Sequence, residues 1–220
     1  MGVAPGVLAA LPLRDRIVTG DALYCQRDVC DQICAAGGDY LVVVKANQPQ
    51  LYGDITLLFA EPPPGETFAT ATQRDHHGDR HEVRQLWAST ALRGYSAWPG
   101  AQQVCKIERT TTRRGKTTRQ VRYLITSLGP SIDPETLLRH VRSHWGIENR
   151  LHYVRDVTFG EDASQVRSGA APQIMAALRN CVLAILRQAG WTNIAAALRQ
   201  IAWQPGLALA LLGIHPGITK

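Results

Sequence analysis

The residues best suited to chemistry lie between His144 and Asp162, where two histidines (His144, His152) and four carboxylates (Glu148, Asp156, Glu161, Asp162) fall within nineteen residues. On a helix of about 3.6 residues per turn, His144, Glu148, His152 and Arg155 recur at intervals of three and four and so share one face. Ile147, Leu151 and Val154 follow the same spacing on a neighbouring stripe, an apolar side that can pack on a core. The helix therefore holds Glu148 at a fixed place between a buried side and a basic side. A second carboxylate, Asp21, closes the run Arg16-Ile-Val-Thr-Gly20. That run reads as a short buried strand, and open α/β sheets place their ligands at the carboxyl ends of strands.

The elements that position these two carboxylates follow from the pattern around them. Residues 2–14 resemble the last turns of a helix. After Asp21 a helical run extends to about Ala36, where Gly37-Gly38 stops it, and Tyr40-Leu-Val-Val-Val-Lys45 is an apolar strand of the buried, parallel kind, completing β-α-β. Ala46-Asn-Gln-Pro49 turns into a helix to about Phe59, and Glu61-Pro-Pro-Pro-Gly-Glu66 is a stiff linker. Beyond it the period becomes two: residues 67–74, 82–89, 103–111 and 118–126 read as strands, with turns at His77-Gly-Asp79 and Arg114-Gly115. From Asp133 the chain is helical again over 134–143, the Glu148 segment and 172–188, with two short helices at 193–201 and 206–212. The 172–188 helix carries a broad apolar face of Ile174, Leu178, Cys181, Val182, Ile185 and Leu186.

Charge indicates the partner. The chain of 220 residues has a net charge of +6 and a pI near 9.3, and its cations are mostly arginine, which suits bidentate phosphate contacts. Lys106, Arg109, Arg113, Arg114, Lys116, Arg119 and Arg122 stand between Gln102 and Ser127 against Glu108 alone, an excess equal to that of the whole chain. Nucleic acid is the expected partner. Five cysteines, odd in number and without a Cys-x-x-Cys pair, argue against a disulfide framework or zinc site and for a reducing cytoplasm. No basic, apolar leader opens the chain, and Pro205, Gly206, Gly213 and Pro216 interrupt the uncharged tail, so no membrane partner is expected.

Thr19-Gly-Asp-Ala-Leu23, with Gly38-Asp-Tyr40 and Val44-Lys-Ala-Asn-Gln-Pro49, resembles the segment around the second catalytic Asp of bacterial insertion-sequence DDE transposases of the ISAs-type branch. His144-Trp-Gly-Ile-Glu-Asn-Arg-Leu-His152, followed by Asp156-Val-Thr-Phe159 and Glu161-Asp162, is similar to the segment around their catalytic Glu. His77-Gly78, Arg80 and Glu82-Val-Arg84 resemble the intervening His-Gly-Arg-x-Glu-x-Arg signature, with extra residues intruding. These matches cover most of residues 16–190. The resemblance implies an α/β fold: an incomplete ribonuclease H-like domain interrupted by a mostly β insertion and followed by C-terminal helices. On that reading residues 1–60 are the later β-α-β part of the core, 61–130 the insertion, 131–190 the catalytic-Glu and core-completing helices, and 191–220 a helical tail.

The resemblance further implies metal-dependent DNA cleavage and strand transfer, with three carboxylates holding two divalent ions, Mg2+ or Mn2+, about 3.5–4 Å apart. Hard oxygen ligands suit such ions. Asp21 and Glu148 are then two of the catalytic metal ligands. DNA, both element ends and target, is the implied partner, with a second copy or a full-length transposase beside it. Three positions depart from the wider group's Tyr-Arg-Glu-Lys arrangement: this chain has Val141, His144 and Arg155 in place of the Tyr, Arg and Lys. The first catalytic Asp belongs on a strand upstream of Met1, so the chain is expected to be an N-terminally truncated form, inactive alone and presenting an apolar sheet edge.

Each assignment has a plainer counterpart. Asp21 also suits a helix N-cap. Lys45, Asn47 and Gln48 either contact DNA or end a strand and cap a turn. Trp145 stacks on a base or packs in the core; Asn149 and Arg155 are further DNA contacts on the Glu148 helix. His76, His77 and His81 with Asp75 and Asp79 read as an exposed hairpin rather than a metal cluster, and Cys30 and Cys34 as packed residues. The arginine hairpin, Arg109, Arg113, Arg114, Lys116, Arg119 and Arg122, meets phosphates or keeps a sheet edge soluble. For the whole chain the rival readings are a non-catalytic, DNA-binding inhibitory fragment and an unstable relic.

Overall fold

The computed structural model describes residues 4–94, 97–147 and 151–214, and only the backbone of Ala4, His77, Trp145 and Ile147. Glu148 and Asn149 lie outside the described residues. The chain divides into two compact units, Met1–His144 and Trp145–Lys220.

In the first unit a short helix, α1 (Ala4–Ala9), precedes strand β1 (Ile17–Gly20), which runs parallel to β2 (Asp39–Val44). The run expected as one helix between them is broken at Cys25 and Gln26 into a 3-10 turn, Ala22–Tyr24, and α2 (Arg27–Ala35). Gly38 is required where α2 returns to the sheet, because a Cβ there would stand 2.7 Å from the Leu13 carbonyl oxygen. Helix α3 (Pro49–Ala60) starts with proline in its first turn, where the missing N–H has no intrahelical partner.

Strands β3 (Ala69–His77), β4 (Arg80–Ser89), β5 (Gln103–Arg113) and β6 (Lys116–Thr126) continue the same sheet, in the order β1-β2-β6-β5-β4-β3. Strand β6 joins antiparallel to β2, Leu41 opposite Thr126 through Val44 opposite Tyr123. Strand β2, expected to be of the buried, parallel kind, is parallel to β1 and antiparallel to β6. Its continuous apolar run reflects a central position with both faces covered, whichever way its neighbours run. The β5–β6 turn places Arg114 and Gly115 at φ of 48° and 74°, the left-handed pair whose twist suits a two-residue hairpin. This closes the strands tightly, so they run further toward the turn than the sequence pattern suggested.

Strand alternation sorts the side chains between two faces. On one, Tyr40, Val42, Val44, Val104 and Ile125 pack with Val29, Ile33, Leu51 and Ile55 from α2 and α3. On the other, Leu41, Val43, Leu86, Cys105, Ile107 and Leu124 pack with Leu137 and Leu138 of α4 (Pro134–Ile147).

In the second unit, Val154–Thr158 winds as a π-helix, with the Phe159 N–H donating to the Val154 carbonyl at 2.9 Å. The three-and-four spacing read through Arg155 therefore does not continue past Val154. Helices α5 (Ala171–Gln188), α6 (Ile194–Trp203) and α7 (Pro205–Leu211) follow. A small core joins Val154, Leu183, Leu186, Ile194 and Ala197. Of the broad apolar face expected on α5, Leu186 is buried, whereas Ile174, Leu178 and Val182 are exposed. Periodicity marks an amphipathic helix but does not say how much of its stripe finds a partner.

Candidate active site

Asp21 stands at the carboxyl end of β1 as the N-cap of the 3-10 turn, where the Ala22 N–H donates to its Oδ1 at 2.8 Å. Lys45, just past β2, approaches the same oxygen at 3.4 Å. The side chain is 61% exposed. The Ala22 hydrogen bond, with the Lys45 and Arg122 charges adding to it against partial burial, holds the carboxyl below its ordinary range. Asp21 is therefore ionised at neutral pH, and the capping and ligand readings describe one geometry: the cap fixes the carboxylate, and its open side faces water.

Two predicted DNA contacts brace this turn. Asn47 Nδ2 donates to the Ala22 carbonyl at 2.7 Å, and Gln48 Nε2 donates to the Cys25 carbonyl at 2.9 Å. Their amides tie the segment after β2 to the segment after β1. A bond absent from the sequence reading pins α4 to the same strand: Thr19 Oγ1 and His144 Nδ1 lie 3.0 Å apart. Glu148 follows His144 by four residues in the sequence.

The basic hairpin is not one surface. The β5–β6 register pairs Arg113 with Lys116, Arg109 with Gln120 and Ile107 with Arg122, putting these four cations on the α4 face. Lys106 and Arg119 fall on the opposite face, where Arg119 pairs with Glu108 at 2.5 Å and Lys106 lies 4.8 Å from the Trp87 ring. Arg114, in the turn, and Arg113 both approach Asp79, while Arg109 pairs with Glu82 at 2.7 Å. In the second unit Arg155 grips Glu161 through two bonds of 2.6 and 2.7 Å. The Trp145 side chain lies outside the described part of the structure.

Asp21 fits a divalent ion in kind, being an ionised, solvent-facing oxygen donor. Such an ion would compete with Lys45 for Oδ1. Among the described residues no three His, Cys, Asp or Glu side chains gather into a metal site. The His76 and His81 rings lie 4.2 Å apart, tilted by 38°, and Asp75 and Asp79 are engaged by arginines. All five cysteines are unpaired; burial pushes the Cys25 and Cys105 thiols up to about 12 and Cys30 to about 11, as befits packed, unreactive groups. No described helix is long and apolar enough to cross a membrane.

A mixed six-stranded sheet with helices, presenting an ionised Asp at a strand end, defines an α/β protein consistent with a ribonuclease H-like DDE domain. The chain belongs to the family described as "Transposase DDE domain", whose model matches residues 2–185. Divalent metals and DNA are the general cofactor and partner of that family. The chain is similar to the candidate transposase YncI of Escherichia coli O157:H7, 31% identical over 196 residues, which covers 83% of this chain and 48% of the relative. It is similar also to the protein YbfL (30%) and the H repeat-associated candidate transposase YhhI (29%) of Escherichia coli K12, each match covering 83% of this chain and 50% of the relative. The chain thus spans about half the length of these relatives. No solved structure matches it.

Proposed function

We propose that this chain serves metal-dependent DNA strand cleavage and transfer in insertion-sequence transposition, with Asp21 and Glu148 as metal ligands. The observation that carries this reading is Asp21 itself: its carboxylate is held ionised and solvent-facing at the end of β1, the strand whose Thr19 bonds His144 of α4. Bound Mg2+ or Mn2+ supplies activation of the attacking oxygen and stabilisation of the leaving one. The chain's own residues fix the ligand: Ala22 and Lys45 keep Asp21 ionised, while Asn47 and Gln48 hold its turn. Lys45, Arg113, Lys116 and Arg122 present cations for DNA phosphates on the same sheet face or beside Asp21, with Trp145, Asn149 and Arg155 as further contacts. The buried, unpaired thiols suit a reducing cytoplasm.

This reading assigns two of the three carboxylates implied for such a site, Asp21 and Glu148. We therefore expect the 220 residues by themselves to bind DNA without cutting it, which also makes an inhibitory role in mixed assemblies with a full-length transposase feasible. Fluorescence anisotropy with duplex carrying the element's ends tests binding. About four phosphate contacts give a slope of log affinity against log salt of roughly −3 to −4, whereas salt-insensitive binding or none would overturn the DNA reading. Addition of Mg2+ or Mn2+ should leave the strands intact. Metal-dependent cleavage abolished by Glu148→Ala would show that this chain suffices for catalysis.

A further inference from the structure

Glu82, near the start of β4, is a carboxylate only 4% exposed. It accepts from Arg80 at 2.5 Å and from Arg109 of β5 at 2.7 Å, and it also pairs with Arg84. Arg84 reaches Asp75 of β3 at 2.6 Å, and Asp75 receives Arg142 of α4 at 3.2 Å. Four guanidiniums thus hang on two carboxylates, leaving an excess charge of two. Register sets Arg84 directly opposite Arg109, a like-charge arrangement that disfavours the sheet unless an anion lies between.

Stability alone does not explain this cluster, because well-packed apolar side chains in place of a buried ion network are commonly as stable or more so. Its chemistry is better matched to an external anion. A guanidinium carries five donors in a planar fork, more than one carboxylate can use, and the fork fits phosphate oxygens. Arg80 and Arg142, 43% and 38% exposed, form the open flank of the cluster. Arg113 and Lys116 extend the positive face toward the hairpin turn, since Arg113 lies opposite both Arg80 and Lys116.

We propose that Glu82 is a positioning residue that fixes Arg80, Arg84 and Arg109 as a close-set row receiving a backbone phosphate of duplex DNA. The proposal rests on the reading of DNA as partner. It gives the Arg80, Glu82 and Arg84 signature a role separate from the Asp21 centre: Glu82 touches no DNA and acts through the arginines it aligns.

The sign of one effect separates positioning from plain charge. Glu82→Gln raises the local charge by one, so electrostatics alone strengthens DNA binding, whereas loss of the anchor weakens it. We expect about tenfold weaker binding by anisotropy, at a melting temperature showing a folded chain. Arg80→Ala, at a partly exposed position, should reduce the salt slope by about 0.9, the value of one phosphate contact. Tighter or unchanged binding by Glu82→Gln overturns the proposal, as does an unchanged slope for Arg80→Ala, which decides the matter if Glu82→Gln does not fold. Inorganic tripolyphosphate, titrated in parallel by calorimetry, separates the two levels of inference. If it binds in a Glu82- and Arg80-dependent way while DNA does not bind, the phosphate row stands and the DNA reading fails. If neither anion binds the wild-type chain, the row is overturned.

Discussion

The two faces of the sheet have been shaped by different demands. Under α2 and α3 the face carries an apolar cluster that includes Tyr40, Val104 and Ile125, and its charged Glu108 and Arg119 pair further along β5 and β6. Under α4 the apolar cluster around Leu86, Cys105 and Leu137 gives way, along the same strands, to Glu82, Arg84 and Arg109. One face therefore holds the fold, and the other divides its length between holding α4 and presenting charge. The strand-end Asp21 and the Thr19–His144 bond lie at the β1 edge of this second arrangement. A sheet can thus keep a functional surface costly in desolvation because the part of its opposite face under α2 and α3 supplies burial.

Substitutions on each face should separate these roles. The largest effect is expected from Ile55→Ala on α3, where a fully buried side chain is truncated: about 2–5 kcal/mol by denaturant unfolding, with the DNA salt slope unchanged. A loss below about 1 kcal/mol would mean that this face is not the main support. Arg84→Ala should follow at roughly 1–3 kcal/mol, since it removes a charged partner from the buried Glu82 while Arg80 and Arg109 remain. Unlike Ile55→Ala, it should weaken DNA binding at matched folded fraction. Thr19→Val keeps the side-chain shape and deletes the bond to His144, so about 1 kcal/mol is expected. The accompanying sign is a changed chemical shift at the His144 ring; an unmoved ring would show that α4 is held by its apolar contacts alone.

The smallest effect concerns proton binding. Because the folded-state pKa of Asp21 is lowered, its contribution to stability is present above the unfolded value and is lost as pH falls through the folded one. Lys45→Ala should raise that pKa only part of the way, since the Ala22 hydrogen bond is the larger cause. An NMR titration of the Asp21 carboxyl carbon checks this, and a full return to the ordinary aspartate value would assign the shift to Lys45 instead.

Much of this arrangement was legible before any coordinates. The run ending in Asp21, the second strand, and the Arg114-Gly115 turn are written locally, in apolar periodicity and turn chemistry, and all three stand where the sequence put them. The junction of β2 with β6 was not, because pairing Val44 with Tyr123 depends on partners 79 positions apart, which no local pattern specifies. The same holds for Thr19 and His144. The division of the hairpin cations was readable in principle: once the turn fixes the register, alternation alone assigns Arg109 and Arg119 to opposite faces. Counting charge along the chain concealed it. The Glu82 network escaped because a buried carboxylate cannot be told from a solvated one by type and spacing; Arg142, brought from α4, is supplied by tertiary packing alone.

The most direct test asks whether Asp21 binds metal at all. Mn2+ added to isotopically labelled protein broadens the NMR signals of nuclei near its site. A metal centre on Asp21 and Glu148 predicts broadening focused on the amides of Asp21 and Ala22, abolished by Asp21→Asn and weakened by Glu148→Gln, with the fold intact in both variants. Broadening centred elsewhere, or the same pattern in Asp21→Asn, would contradict the assignment of Asp21 as a metal ligand.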